Sequence, residues 1–358
     1  MQGKMSLSVF SLSHLAVDFS CFFVLMGAFY TDVSDVQLIS LGFLIYNAIA
    51  FALQLPFGSL ADALLSSRSR LSAGHIAALG CLLVALGVIC PLNAWARLAL
   101  CALGNALFHT GGGIDSLVLA RGRYARSGIF ISFGALGVAL GTLASRAGTL
   151  SPWLVALLLV GCIILILRFC LQKSPYETSL NNASAKINTS GVVILLCAVA
   201  ILVRAAAGAY TPVPWKNSSD PLFVLAALAV FSGKFAGGLL ADRFAPRTVA
   251  TASLLISAPL LAFGNGQIIV CCLGLFLFNV TTAVSLCVIA SQLPRNPGLS
   301  FGLTTLALFL GSSLSFFWAL PESLRPALTL LFVAAAALCL FLSAPRQATG
   351  SAGSLTKP

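Results

Sequence analysis

The stretch Gly237–Arg247 reads GGLLADRFAPR, and a looser copy, GSLADALLSSRSR, stands at Gly58–Arg70. Each copy sets an acid four residues after a glycine: Asp62 after Gly58, and Asp242 after Gly238. The copies lie 180 residues apart, about half of the 358-residue chain. Such concentrations of charge stand out because only 8% of the chain is charged and 59% is hydrophobic. An ordinary soluble domain carries roughly 25% charged residues. Apolar runs near 20 residues recur along the whole chain, each long enough to cross ~30 Å of hydrocarbon as a helix. The ~10-residue alternating segments of a transmembrane barrel are absent. The sequence therefore reads as an all-α polytopic membrane protein.

Twelve apolar segments are expected, near 7–29, 36–57, 71–90, 93–114, 127–148, 152–171, 191–211, 221–241, 247–265, 267–291, 298–319 and 325–344. A polar stretch, QKSPYETSLNNASAKINTS, divides them six and six. The expected organisation is a first six-helix half (1–171), a central cytoplasmic loop (172–190), a second six-helix half (191–344) and a disordered tail (345–358). The first copy of the glycine–acid pattern follows segment 2 and the second follows segment 8. Basic loops match likewise: ARGRYARSG follows segment 4 and QLPRNPGLSFG follows segment 10. Halves with six helices each share one orientation, so a repeat axis along the membrane normal is expected.

The net charge of +11 does not point to nucleic acid, because its distribution is topological. Fourteen of the 20 basic residues fall in one alternate set of loops and tails, from Lys4, Arg68 and Arg70 to Arg346 and Lys357. Arg97, Arg146, Lys216 and Arg325 fall in the other set, where Arg97, Arg146 and Arg325 read as interfacial anchors. By the positive-inside rule this places both termini in the cytoplasm, in a plasma or inner membrane. The N-terminus reads as a first membrane helix, since no small-residue cleavage pattern follows its apolar run. The eleven cysteines are scattered without CxxC spacing, and with three histidines no zinc pattern assembles along the sequence. No metal or other cofactor is expected.

The second copy, Gly238-Leu-Leu-Ala-Asp242-Arg243-Phe-Ala-Pro-Arg247, resembles the loop 2–3/8–9 signature of the major facilitator superfamily, G-x-L-a-D-R-x-G-R-K. Ala245 and Pro246 depart from it. The first copy keeps Gly58, Leu60, Ala61 and Asp62 but has Ala63 in place of the base. A narrower resemblance, to the fosmidomycin-resistance branch of efflux transporters, rests on SLSHLAVDF at 11–19, ALFHTGGG at 106–113 and FGALGVALGTL at 133–143. Thr110 and Thr142 stand where that branch has prolines. The resemblance implies two six-helix halves rocking about a central substrate, a cavity lined by helices 1, 4, 7 and 10, and a conformational gate at each signature copy. The implied gate pairs are Asp242 with Arg295, and Asp62 with Arg121 or Arg123, with Gly58, Gly238, Arg243 and Arg247 completing the motifs. Because the second copy is better preserved, Asp242→Asn is expected to impair transport more than Asp62→Asn.

Ionisable groups inside apolar runs need a reason, since a mid-membrane charge costs roughly 2.5–3.5 kcal/mol on insertion scales. Asp18 lies near the expected midplane of segment 1, with His14 one turn earlier on the same face. An acid at that depth suits a proton carrier. Arg204, deep in segment 7, does not deprotonate and must find an anion: Asp18, a substrate carboxylate or phosphonate, or both in turn. Lys234 in segment 8 is either an anion ligand or a partner within the gate. His109 and Asn105 share a face of segment 4, Asn47 and Gln54 share a face of segment 2, and Asn279 sits mid-way along segment 10. Buried amides serve helix packing as well as binding. Asp115 is expected at the cytoplasmic end of segment 4 as a gate or loop partner. The glycines of segment 5 (Gly134, Gly137, Gly141) and segment 11 (Gly298, Gly302) allow close backbone approach.

Three function classes follow. The first is a secondary transporter of a small organic, anionic or amphipathic solute, working as a monomer in the bilayer by proton-coupled efflux, with proton-coupled uptake or facilitation as the alternative. No GxxxxGK[ST] sequence is present, so a gradient must drive it. The second, an intramembrane enzyme, lacks a nucleophile–base constellation: GSSLS at 311–315 carries no GxSxG. The third, a sensor on the same fold, would tolerate loss of Asp18 and Arg204.

Overall fold

A computed structural model describes residues 2–65, 71–171 and 190–346. Arg68, Arg70, Lys173, Lys186 and Lys357, with nearly all of the central loop and most of the tail, lie outside the described residues. Among the described residues the fold is all-helical and forms twelve rods: α1 (Gly3–Asp32), α2 (Val36–Leu65), α3 (Ala73–Ile89), α4 (Ala94–Ala120), α5 (Tyr124–Ala147), α6 (Pro152–Phe169), α7 (Gly191–Tyr210), α8 (Asp220–Arg243), α9 (Pro246–Phe263), α10 (Ile268–Gln292), α11 (Pro297–Phe317) and α12 (Arg325–Ser343). Ten are long and apolar enough to cross a membrane. α3, with 17 residues, is shorter than the ~20 that a span usually takes. Large apolar side chains face outward, among them Ile269 at 84%, Leu157 at 63% and Leu195 at 62% exposure. Water does not tolerate such a girdle over whole helix faces, whereas lipid does. This is a multi-pass membrane protein.

Local chemistry explains most boundaries. Asp35 caps α2, accepting hydrogen bonds from the Gln37 N–H (2.7 Å) and the Leu38 N–H (3.0 Å). Prolines open α5's successor α6 (Pro152), α9 (Pro246) and α11 (Pro297), where a missing N–H costs nothing. α4 runs on to Ala120, six residues past the expected end at 114. Its triple glycine is a contact surface rather than a stop. A Cβ on Gly111 would meet the Ala77 backbone nitrogen at 2.6 Å, and one on Gly113 the Phe301 ring at 2.7 Å. Two rods change pitch internally, with π turns at Leu25–Phe29 in α1 and Ala48–Ala52 in α2. Such single-turn insertions occur often at functional sites.

The chain packs as two compact units that differ from the two sequence halves by an exchange of two helix starts. One unit holds α1–α4, α5 from Phe133 with α6, and Arg295–Phe309 of α11. The other holds Ala120–Ser132 at the start of α5, α7–α10, and the chain from Leu310 onward. Within the first unit, Gly137 and Gly141 of α5 lie so close to α1 that a Cβ on either would strike the carbonyl oxygens of Leu15 and Phe19 respectively. Within the second, Gly233 and Gly237 of α8 lie against the carbonyls of Phe276 and Val280 of α10. Small residues thus bring polar backbone into contact where hydrophobic burial gives no drive between helices in lipid.

Candidate functional site

In the first unit four side chains converge whose outermost members, His14 and His109, are 95 residues apart. Asp18 and His14 are one turn apart on α1, and Asn105 and His109 one turn apart on α4. Asn105 Nδ2 donates to Asp18 Oδ1 at 2.8 Å. His14 Nε2 is 3.2 Å from Asp18 Oδ2, and His109 Nε2 is 3.8 Å from Asp18 Oδ1. The two imidazoles meet edge to face with their Nε2 atoms 2.8 Å apart. All four residues are buried, at 9% exposure or less. Gly134 of α5 closes the cluster: a Cβ there would collide with His14 Nε2 and Asp18 Oδ2.

The hydrogen bonds fix the tautomers. A carbonyl oxygen only accepts, so His109 Nδ1, 2.9 Å from the Asn105 carbonyl, carries a proton. In a neutral His109 its Nε2 is then a bare acceptor, and the facing His14 Nε2 supplies the proton between them. That one proton faces two acceptors, His109 Nε2 and Asp18 Oδ2. The arrangement can hold a proton and pass it between α1 and α4.

In the second unit, Arg204 of α7 is buried at 6% exposure. Among the described residues its guanidinium has no carboxylate partner, and its Nε is buried without a hydrogen bond. The guanidinium lies over the face of the Phe278 ring of α10, with the centroid 5.3 Å from Cζ. A cation–π contact contributes ~0.5–2 kcal/mol, too little to offset the burial of a full charge. Asp18, one of the anions expected for it, lies in the first unit beside the two histidines and Asn105. Phe278 was not foreseen; the signal for it is its position beside Asn279 on a helix expected to line a cavity. Asn279 itself is buried, but its Nδ2 donates back to the Leu275 carbonyl of its own helix at 2.8 Å.

The two glycine–acid copies make the same structure twice, with partners that reverse the expected ones. Asp62 Oδ1 and Oδ2 accept from the N–H groups of Gly298 and Leu299, both at 2.8 Å, at the start of α11. Asp242 Oδ1 and Oδ2 accept from the N–H groups of Tyr124 (2.8 Å) and Ala125 (3.2 Å), at the start of α5. The expected pairs of Asp242 with Arg295 and of Asp62 with Arg121 or Arg123 are not formed. Each acid caps the first turn of a helix, where unpaired N–H groups and the positive end of the dipole favour a carboxylate. The glycine four residues earlier makes the approach possible. A Cβ on Gly58 would strike the Gly298 carbonyl, and one on Gly238 would meet the Tyr124 carbonyl oxygen at 2.5 Å.

The basic residues of the motifs act elsewhere. Arg121 (φ 49°) and Gly122 (φ 77°) form the left-handed turn that lets α4 reverse into α5. Arg123 follows in that turn, with no ion pair among the described residues. Arg243 closes α8 beside Phe244, 5.8 Å from its ring. Arg247 donates from Nε to the Ala344 carbonyl at 3.0 Å, serving the end of α12 rather than Asp242. Arg97 likewise caps α3, donating to the carbonyls of Gly87 (3.1 Å) and Val88 (3.0 Å).

Two further expectations are corrected. Asn47 and Gln54 do not share a face, because the π turn between them rotates the helix less per residue than an α turn. Asn47 is half-buried, whereas Gln54 is 1% exposed with its Oε1 unpartnered. Asp115 lies inside α4, not at its end, and makes no hydrogen bond or ion pair among the described residues. Lys234, in α8, is half-buried, and its carbonyl oxygen abuts Gly128 of α5.

No family profile and no curated protein matches the sequence. Solved structures do. The chain aligns over 96% of its length, and 98% of the other, with the Escherichia coli fucose:proton symporter FucP at 16% identity and a TM-score of 0.60. A second structure of FucP, described as a major facilitator superfamily transporter in the outward conformation, aligns over 93% of this chain and 99% of that one, with 16% identity and a TM-score of 0.59. The human organic anion transporter MFSD10 aligns over 96% and 99%, with 15% identity and a TM-score of 0.62. The chain therefore has the fold of major facilitator superfamily transporters.

Proposed function

We propose that the protein is a proton-coupled secondary transporter of a small organic anion, working by alternating access. The observation that carries this reading is Arg204: a buried guanidinium set over the Phe278 ring, with its Nε unpartnered and no carboxylate beside it among the described residues. A permanent cation kept in that state is a site awaiting an anion, because a carboxylate or phosphonate supplies the charge-assisted hydrogen bonds the protein withholds. Asp18, with His14 and His109, is the proton carrier, and Asn105 holds the carboxylate in place. The fold likeness to a proton symporter and to an organic anion transporter supports the class, not the substrate. Asp62 and Asp242 are the gates, each releasing a helix start as the conformation changes.

In this reading all twelve rods span the membrane, both termini are cytoplasmic, and the carrier works as a monomer in the plasma or inner membrane. Efflux in exchange for protons, as in the fosmidomycin-resistance branch, is the preferred direction; proton-linked uptake uses the same groups. A thermal-shift screen of organic anions on purified protein tests the reading. Carboxylates or phosphonates should stabilise the wild type and leave Arg204→Ala unshifted. Equal shifts in both would sink it.

A further inference from the structure

His14 Nε2, His109 Nε2 and the Asp18 carboxylate all lie within 4.8 Å of one another, on three buried residues. The sequence hid this group because His14 and His109 are 95 residues apart, beyond any local ligand spacing. Three features suit a metal. The His109 Nδ1–H donates to the Asn105 carbonyl, which fixes the ring and aims the Nε2 lone pair inward, as the outer hydrogen bond of a metal-ligating histidine does. The separations of 2.8, 3.2 and 3.8 Å bracket the ~3.3 Å between ligands of a tetrahedral ion with bonds of ~2.0–2.1 Å. Finally, Asn105 Oδ1 is buried with no hydrogen-bond partner, although its Nδ2 is anchored on Asp18. A half-turn of that amide puts an oxygen where the nitrogen stands, which a carboxylate alone would repel and a cation between them would favour.

We infer that this cluster binds one first-row transition-metal dication, with His14 Nε2, His109 Nε2 and Asp18 as ligands and Asn105 Oδ1 as the fourth. Two imidazoles with one carboxylate select zinc- or cobalt-like ions over magnesium and calcium, which take oxygen ligands. Binding at His14 needs its neutral ring to carry the proton on Nδ1, so the proton that Nε2 holds in the metal-free cluster moves to the other ring nitrogen and the Nε2 lone pair goes to the metal. Metal binding does not depend on the proton-carrier reading above.

The test is titration of tag-free, chelator-treated protein in detergent with Zn²⁺ by calorimetry and with Co²⁺ by visible absorption. The wild type should bind one Zn²⁺ per chain and give the intense spectrum of four-coordinate Co²⁺. His14→Gln and His109→Gln, close in size to the native side chains, should each weaken Zn²⁺ at least tenfold, and Asn105→Ala should weaken it severalfold. His75→Ala, which removes the third histidine at the start of α3, should bind as the wild type does. Folded wild type that binds no stoichiometric Zn²⁺, or a His14→Gln/His109→Gln pair that binds it unchanged, overturns the inference. If both variants misfold, the wild-type stoichiometry and Co²⁺ spectrum decide. Flux in chelator-treated vesicles under a pH gradient reads the proton role separately, so either claim can fail alone.

Discussion

Replacing Arg204 by methionine separates a binding group from a structural one. A structural arginine stabilises its fold, and its loss lowers the melting temperature. Arg204 should do the opposite. Its burial costs roughly 2.5–3.5 kcal/mol on insertion scales, and its contact with Phe278 returns at most ~2 kcal/mol. Arg204→Met should therefore gain about 1 kcal/mol, raising the melting temperature by about 2–4 °C. The same change removes the hydrogen bonds to a bound anion, each worth ~1.5–3 kcal/mol when charge-assisted. Loss of two weakens binding by about 3 kcal/mol or more, at least ~150-fold. Arg204→Lys keeps the charge but not the fork, and about tenfold weakening is expected. Differential scanning fluorimetry of the ligand-free protein, with calorimetry of the best anion from a screen, checks both halves. A destabilised Arg204→Met protein with unaltered anion affinity would refute the reasoning.

The geometry also ranks the gates. Asp62 is 7% exposed and accepts two bonds at 2.8 Å, while half-buried Asp242 accepts at 2.8 and 3.2 Å. Asp62→Asn should thus impair flux more than Asp242→Asn, reversing the order expected from motif preservation; flux in proteoliposomes at matched protein density decides. Gly134→Ala places a methyl where His14 Nε2 and Asp18 Oδ2 stand. It should flatten the pH dependence of transport while leaving anion affinity in the thermal-shift assay within about twofold. Gly58→Val drives a side chain into the Gly298 carbonyl and should abolish transport by parting α2 from α11, seen as loss of a disulfide otherwise formed between cysteines introduced along that crossing.

How much of this was legible in the sequence follows from which interactions are local. The membrane helices announce themselves through apolar runs, since each satisfies its own backbone. Asp18, His14 and Arg204 stood out because ionisable groups are rare in such runs. What the sequence could not give were distances across the fold. Motif order suggested that Asp242 meets Arg295, but a carboxylate four residues after a glycine reaches a helix start more readily than a flexible base. The pairing of Asp62 with α11 and of Asp242 with α5 is a tertiary fact. The π turn of Ala48–Ala52, which divides Asn47 from Gln54, carries no glycine or proline to mark it. Nor does any local pattern tell that the triple glycine of α4 is a packing face rather than an end.

The central claim is that movement of an organic anion is tied to a proton held by Asp18. Its most direct test is proton uptake or release by proteoliposomes when a transported anion is added, read with a pH-sensitive dye and no imposed gradient. The account predicts a substrate-dependent proton signal for the wild type that disappears in Asp18→Asn, while that variant still binds the anion. A proton signal of undiminished size in Asp18→Asn would contradict it.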